Sequence, residues 1–278
     1  MLVRFRLALL LFLLFCSVST AVAEVLSVQG FTEPFYDVQL GLPEAGQVAN
    51  IAVREGDLVK KGEVLLYLDK EIQELDVAQI RLKLNSNAEL EYAEKRVELL
   101  RRQYESAETL FQDGAASRED FETKQLDHAE AASEAARLKM LKKLEKIELK
   151  LAKQKLQRRI LTAPFSGHVA SIVKEPGESV QAQEPLVRMV DAGRGRFVGS
   201  AEESVGKQYA VNQNVCLELT DSDFDPIPAK IIFLSPTIDT ASGFMEIKAE
   251  FDNKEAMFRL GGSAKLFAMQ NGQCLKRQ

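Results

Sequence analysis

The chain has 278 residues, 46% of them hydrophobic and 28% charged, and carries a formal net charge of −5. That length and apolar content suit a folded soluble protein of one large or two to three small domains. The acidic balance argues against a nucleic-acid partner, which calls for a basic face.

The first residues read as an export signal. Arg4 and Arg6 form a positive start, Leu7 to Phe15 an apolar run, and Ala21-Val22-Ala23 a small-residue cleavage site before Glu24. The run is too short to span hydrocarbon before Ser17, Ser19 and Thr20 dilute it, so cleavage after Ala23 is expected rather than a retained anchor. Cys16 invites lipid attachment, but Phe15 stands where a small residue is needed. The mature chain is therefore read as exported, with two cysteines, Cys216 and Cys274, in an oxidising compartment. They could pair; the preferred expectation is a buried thiol at Cys216 and a loose tail carrying Cys274.

After an N-terminal extension (24–35), one stretch occurs twice. Leu40 to Asp69 and Leu161 to Val190 align without a gap at an offset of 121, with ten identities in thirty positions, among them Pro43/Pro164, Gly46/Gly167, Val48/Val169, Gly56/Gly177 and Leu65/Leu186. Ordinary residue usage would give about two, so this is an internal repeat. Each copy reads as short strands, with Gly56-Asp57 or Gly177-Glu178 marking a turn. Neither copy can close a core alone, so 36–69 and 160–192 are expected to pack face to face as one small sandwich.

Between the copies lies an insertion, 70–159. Glu71 to Gln112 contains no proline or glycine, and Leu90, Ala93, Val97, Leu100, Tyr104, Ala107 and Phe111 step by three and four along a coiled-coil seam. Nearer its start the seam is read through Leu75, Ala78, Leu82 and Ser86, where two steps of four make a stutter. Gly114 suits the residue just past a helix end, and Ser117 with Asp120 resembles a capping box. A second arm runs from about Arg118 to Arg159, its seam read as Leu126, Ala129, Ser133, Ala136, Met140, Leu144, Ile147 and Leu151. Each arm, at 1.5 Å per residue, is about 60 Å long, and a short turn makes the pair antiparallel. The dense charge along the arms is read as a solvated face, and the tip as the part that reaches a distant partner.

The remainder, 193–270, changes to short strands at Phe197 to Ala201, Val215 to Leu219, Ala229 to Leu234, Phe244 to Phe251 and Ala264 to Met269, with a short helix at Glu202 to Lys207. This fits a small antiparallel barrel, followed by a tail, 271–278. The fold class is thus α+β, elongated and multidomain.

No catalytic or cofactor constellation emerges. His128 and His168 stand apart from any cysteine or acidic cluster and are expected at the surface; Glu202-Glu203 and Asp221 to Asp225 read as acidic turns. There is no phosphate loop, Gly-x-Ser-x-Gly or Gly-x-Gly-x-x-Gly. The expectation is a binding or structural protein, with no enzyme activity, no metal and no cofactor.

The duplicated half-motif resembles the lipoyl/biotinyl domain, whose carrier members bear a modifiable lysine on a tight hairpin between the halves. Here Lys70 sits at a junction with the helical arms instead, so no lipoyl or biotin is expected on it. A lipoyl-like domain split by a helical hairpin and followed by a barrel is similar to the membrane fusion proteins of the HlyD type, the periplasmic adaptors of tripartite efflux pumps. The likeness is carried by Gly56 to Leu65, Leu161 to Gly167, Ser235 to Asp239, Asp252-Asn253 and Arg259 to Ala264.

The resemblance implies a homo-oligomeric tube, six subunits expected, in the periplasm. It would link an inner-membrane transporter, of the proton-driven resistance-nodulation-division (RND) type, to an outer-membrane channel of the TolC type. The alternative transporter is an ATP-driven exporter or type I secretion system. The family's tip motif for docking the channel is Arg, three residues, Leu, six residues, Ser. Leu110 and Ser117 match it, Ser106 stands in the arginine position, and Arg118 offers a substitute; Gly114 and Ala115 complete the implied docking tip.

Overall fold

The computed structural model describes residues 27–220, 224–254, 257–269 and 272–274. The export signal, its cleavage site and Cys16 lie outside the described residues. In chain order the strands are β1 (Val28–Pro34), β2 (Asp37–Leu40), β3 (Gly46–Ile51), β4 (Leu58–Val59), β5 (Val64–Leu68), β6 (Ile160–Thr162), β7 (Gly167–Ile172), β8 (Ser179–Val180), β9 (Val187–Val190), β10 (Arg194–Glu202), β11 (Asn214–Leu219), β12 (Ile227–Leu234), β13 (Phe244–Asp252) and β14 (Ser263–Ala268). The helices are α1 (Glu71–Asn85), α2 (Ala88–Gln112), α3 (Arg118–Gln157) and α4 (Glu203–Gly206). The chain divides into two compact units, one of residues 37–190 and one joining residues up to Tyr36 with those from Asp191 onward.

In the first unit two four-stranded sheets, β2-β9-β7-β4 and β6-β5-β3-β8, enclose one core. A shift of 121 residues carries β3 onto β7 and β4 onto β8, and so one sheet onto the other. The copies do not stack as separate faces, as the sequence suggests; each sheet takes two strands from each copy. The exchange satisfies backbone groups that a lone copy would leave bare. The amide of Val48 donates to the Glu178 carbonyl at 2.8 Å, and the equivalent amide of Val169 donates to Asp57 at 3.0 Å. Gly56 and Gly177 follow the same rule, donating to Val169 and Val48 at 2.8 Å each, with φ of +90° and +94°. Only glycine adopts that backbone cheaply. Leu65, Leu66, Leu186 and Met189 fill the core completely shielded from solvent.

The insertion is an antiparallel hairpin whose two arms differ. The second is one continuous helix, α3. The first breaks at Ser86-Asn87 into α1 and α2, where the sequence reading expects one helix. Serine and asparagine are weak helix formers, and the Ser86 backbone amide turns to the Lys83 carbonyl at 3.2 Å. Lys142 of α3 supports the break, its ammonium donating to the carbonyls of Lys83 at 3.0 Å and Leu84 at 3.4 Å while pairing with Glu145 at 2.8 Å. A cation thus replaces the missing amides at the end of α1.

The break also resets the helix phase. In α1 Val77 is buried and Ile80 and Leu84 are half-buried, whereas Leu75 and Leu82, expected inside, are exposed. The α2 seam lies where the spacing places it, with Ala93 buried and Val97, Leu100 and Tyr104 half-buried. The α3 seam does not. Ala131, Ala135, Glu145 and Ala152 are buried against the first arm, and the expected Leu126, Met140, Leu144, Ile147 and Leu151 face solvent. Helix α3 carries two stripes of three-four spacing, and close antiparallel contact selects the one rich in alanine. Spacing alone cannot rank two such stripes.

The second unit is a closed barrel of order β1-β10-β13-β12-β11-β14. Five of these strands cover the segments read as strands, and the sixth, β1, comes from the stretch set apart as an extension. It pairs with β10 from Gln29 opposite Ser200 to Pro34 opposite Gly195, and with β14 on its other side. Without β1 the edges of β10 and β14 would be bare. Phe197, Leu217, Ile231, Ile247 and Leu266 fill the interior. A β-carbon on Gly30 would meet the Val198 carbonyl at 2.2 Å and the Phe197 ring at 2.7 Å. That glycine in β1 makes room for the central phenylalanine.

The cysteines correct the preferred reading, since Cys216 and Cys274 form a disulfide with Cα atoms 5.5 Å apart. Val215 and Leu217 point into the barrel, so strand alternation turns Cys216 outward. It is nonetheless fully buried, opposite Phe267 in the β11–β14 register and bonded to the returning tail. The bond closes a separation of 58 residues, for which loop-closure entropy predicts about 4 kcal/mol. Cys274→Ser should lower barrel stability by that amount in chemical denaturation and abolish the effect of added reductant.

Candidate functional site at the hairpin tip

Helix α2 ends at Gln112 because Gly114, with φ of +72°, turns the chain left-handed. The Gly114 amide donates to the Phe111 carbonyl at 3.0 Å and the Ala115 amide to the Leu110 carbonyl at 2.8 Å. These two bonds make a Schellman closure, which satisfies the last carbonyls of the helix. Two residues later Ser117 caps α3, its hydroxyl oxygen accepting from the Asp120 amide at 3.1 Å and its hydroxyl donating to the Asp120 carboxylate at 2.8 Å. Only half of the expected capping box forms, because Asp120 returns to the hydroxyl rather than to the Ser117 amide. Glu119 and Asp120 lie in the first turn of α3, where the helix dipole favours negative charge.

Rings brace the turn from behind. Phe111 stacks on Phe121 at 5.2 Å, Phe121 lies 5.7 Å from Tyr104, and Tyr104 stacks on His128 at 5.8 Å. His128, read as a surface residue, is half-buried in this column. The sequence signal for it was the placement of Tyr104 and Phe111 on the α2 seam, which needs flat partners on α3. Burial raises the Tyr104 hydroxyl above its usual value, with Glu108 adding to the shift.

Of the residues implied for docking, Leu110, Gly114, Ala115 and Ser117 converge on the turn, and all are exposed. Arg118 is open to solvent, with Glu122 no closer than 4.0 Å. Ser106 lies one helical turn before Leu110 and is also exposed. The column of rings from within, the backbone closure at Gly114 and the Ser117 cap hold a small outward surface in one shape.

Farther down α2, Glu98 accepts hydrogen bonds from Arg101 and Arg102. They hold its carboxyl well down, at about 2 against an ordinary 4.5. A depressed carboxyl supports the folded helix fully above the unfolded value and loses that support as pH falls through the folded one. Side-chain carbon NMR should place the Glu98 midpoint near 2. A midpoint near 4.5 would show that the arginine fork is absent in solution.

Elsewhere the described residues hold no group of three or more His, Cys, Asp or Glu able to bind a metal, and no helix long and apolar enough to cross a membrane. Lys70 stands just before α1, over the Tyr67 ring and paired with Glu74. It lies at the base of the hairpin rather than on a tight turn.

No family model matches the chain. By sequence it is 28% identical over 148 residues to the macrolide export protein MacA of Escherichia coli O157:H7, covering 53% of this chain and 40% of that protein. The chain spans about half the length of the curated relatives it matches. By fold it is similar to MacA from Actinobacillus actinomycetemcomitans, with a TM-score of 0.69 and 21% identity over 87% of this chain and 78% of that one. It is also similar to the membrane fusion protein Spr0693 from Streptococcus pneumoniae R6, with a TM-score of 0.56 and 14% identity over 88% and 99% of the two chains. Interlocked lipoyl-like halves, a hairpin inserted between them and a barrel formed with the residues after them give the chain the fold it shares with MacA and with the membrane fusion protein Spr0693.

Proposed function

We infer that this protein works in the periplasm as an adaptor, bridging an inner-membrane transporter and an outer-membrane channel. The observation that carries the reading is the hairpin, a helical pair about 60 Å long by its rise per residue whose exposed tip is held by a backbone closure, a serine cap and stacked rings. A rod with little core of its own gains nothing from such length unless its end meets something distant. In this reading Leu110 and its neighbours at the turn meet the channel. Likeness to MacA proteins inclines the transporter toward an ATP-driven exporter, ahead of the RND type.

Capture of the tagged full chain from native membranes tests the bridge, with partners identified by mass spectrometry. Recovery of both a transporter and a channel is expected, as is export that stops on ATP depletion. Export that persists without ATP but stops with a protonophore would return the transporter to the RND type. Recovery of neither partner, with export unchanged on deletion, would remove the adaptor reading.

A further inference from the structure

On the outside of the barrel, strand β10 lies between β1 and β13. Phe197 and Ala201 are buried in the interior, so alternation along β10 turns Val198 and Ser200 outward. Both are short. Phe31 of β1, opposite Val198, and Phe244 at the start of β13 are much longer and stand 52% and 39% exposed. Neighbouring strands lie about 5 Å apart, so the two flanking strands stand about 10 Å from each other. Between them runs a groove of about 470 Å³. That is within the range of about 300–1,000 Å³ in which small-molecule sites fall.

The groove is lopsided in charge. Its lining includes Asp239 and Glu246 and no lysine, arginine or histidine. Glu246 already meets Lys248 at 3.1 Å. Asp239, in the turn before β13, is held through one oxygen. Its Oδ1 accepts from the Ser242 amide at 2.8 Å, the Ser242 hydroxyl at 2.9 Å and the Ala241 amide at 3.1 Å. These donors keep the carboxyl below the ordinary carboxylate range, so it is charged at neutral pH. Among the described residues no cation pairs with it, and its Oδ2 accepts no hydrogen bond. The backbone fixes the same turn, with the Asp239 amide donating to the Phe244 carbonyl at 2.9 Å and the Gly243 amide to the Asp239 carbonyl at 2.8 Å. Carboxylate and ring are thus in place before any ligand arrives.

We propose that this groove binds a bulky organic cation, one whose charge is clothed in aromatic or aliphatic carbon. The carbon body lies on the short side chains of β10 between Phe31 and Phe244, whose ring faces attract a cation as well as an apolar surface. Asp239 supplies the opposite charge. A small metal ion fits poorly, because calcium takes about six to eight oxygen ligands and the lining offers two carboxylates, one already paired. An anion of the same shape is repelled. The adaptor reading needs no small-molecule site on the barrel, so this inference goes beyond it, and either can fail without the other.

The test uses the purified full chain with its disulfide intact and two ions of one shape and opposite charge, tetraphenylphosphonium and tetraphenylborate, in equilibrium dialysis. Saturable binding of the phosphonium at a single site is expected, weakening as salt rises, with the borate about tenfold weaker or more. Asp239→Asn keeps the oxygen that accepts from Ser242 and removes the charge, so it should weaken the phosphonium about fivefold, as loss of an exposed ion pair does. Ser200→Leu, at an exposed position on the floor, should abolish binding by filling the groove. Both variants should keep the parent's circular dichroism and melting temperature. Equal binding of the two ions, no phosphonium binding at millimolar concentration, or binding unchanged in either variant would overturn the proposal. Loss of transporter capture in Ser200→Leu, with phosphonium binding unchanged, would assign the groove to a protein partner instead.

Discussion

Leu110→Asp at the hairpin tip is expected to reduce export tenfold or more while leaving the fold and transporter capture intact. The Leu110 carbonyl, not its side chain, accepts the bond from Ala115 that closes the helix, and the side chain itself is 47% exposed. A surface substitution of this kind shifts stability by about 0.5 kcal/mol or less. At an interface the same carboxylate must be stripped of water, and an unpaired buried charge costs several kcal/mol, enough for tenfold at 1.4 kcal/mol per decade. The readouts are export rate, channel capture and transporter capture, measured on one preparation. Gly114→Pro should give the same loss by another route. Proline cannot reach φ of +72° and removes the amide that bonds the Phe111 carbonyl, so the tip opens. Full export in both variants would show that the turn is not the docking surface.

Leu65→Ala and Leu186→Ala are each expected to cost about 2–5 kcal/mol in urea unfolding of the sandwich. The two leucines are equivalent positions of the repeat, and both are completely buried in one shared core. The strands at these positions, however, belong to different sheets: Leu65 lies in β5, and β9 begins just after Leu186. Because each sheet contains strands from both copies, neither half can loosen alone, and both variants should unfold in a single transition. Two separate transitions, or a cost under about 1 kcal/mol at either position, would contradict an interlocked core.

How much of this was legible beforehand depended on the type of signal. The repeat was plain because glycine at positive φ and leucine in a core are demanding sites, and the chain meets the same demands twice. Gly114 and Ser117 were legible for a related reason: a helix end is a local problem solved by nearby residues. The break at Ser86-Asn87 was not, because its support comes from Lys142, far along the chain. Strand β1 was equally hidden, since its partners β10 and β14 lie far downstream and seven residues carry no mark of the barrel they complete. The tip residues lie close together in the chain around one turn, while the aromatic column behind them needed both arms in place.

The amino-acid sequence by itself determined the duplicated sandwich, the long helical insertion and the turn at its end, since each follows from spacing and backbone preference within a short window. Only the tertiary structure decided which stripe of α3 faces its partner, where Cys216 finds Cys274, and which apolar residues remain uncovered. Periodicity says that a helix has an apolar side, but packing chooses among sides according to how closely two backbones can approach. Here the small side of α3 won that choice, and its larger apolar residues stand exposed.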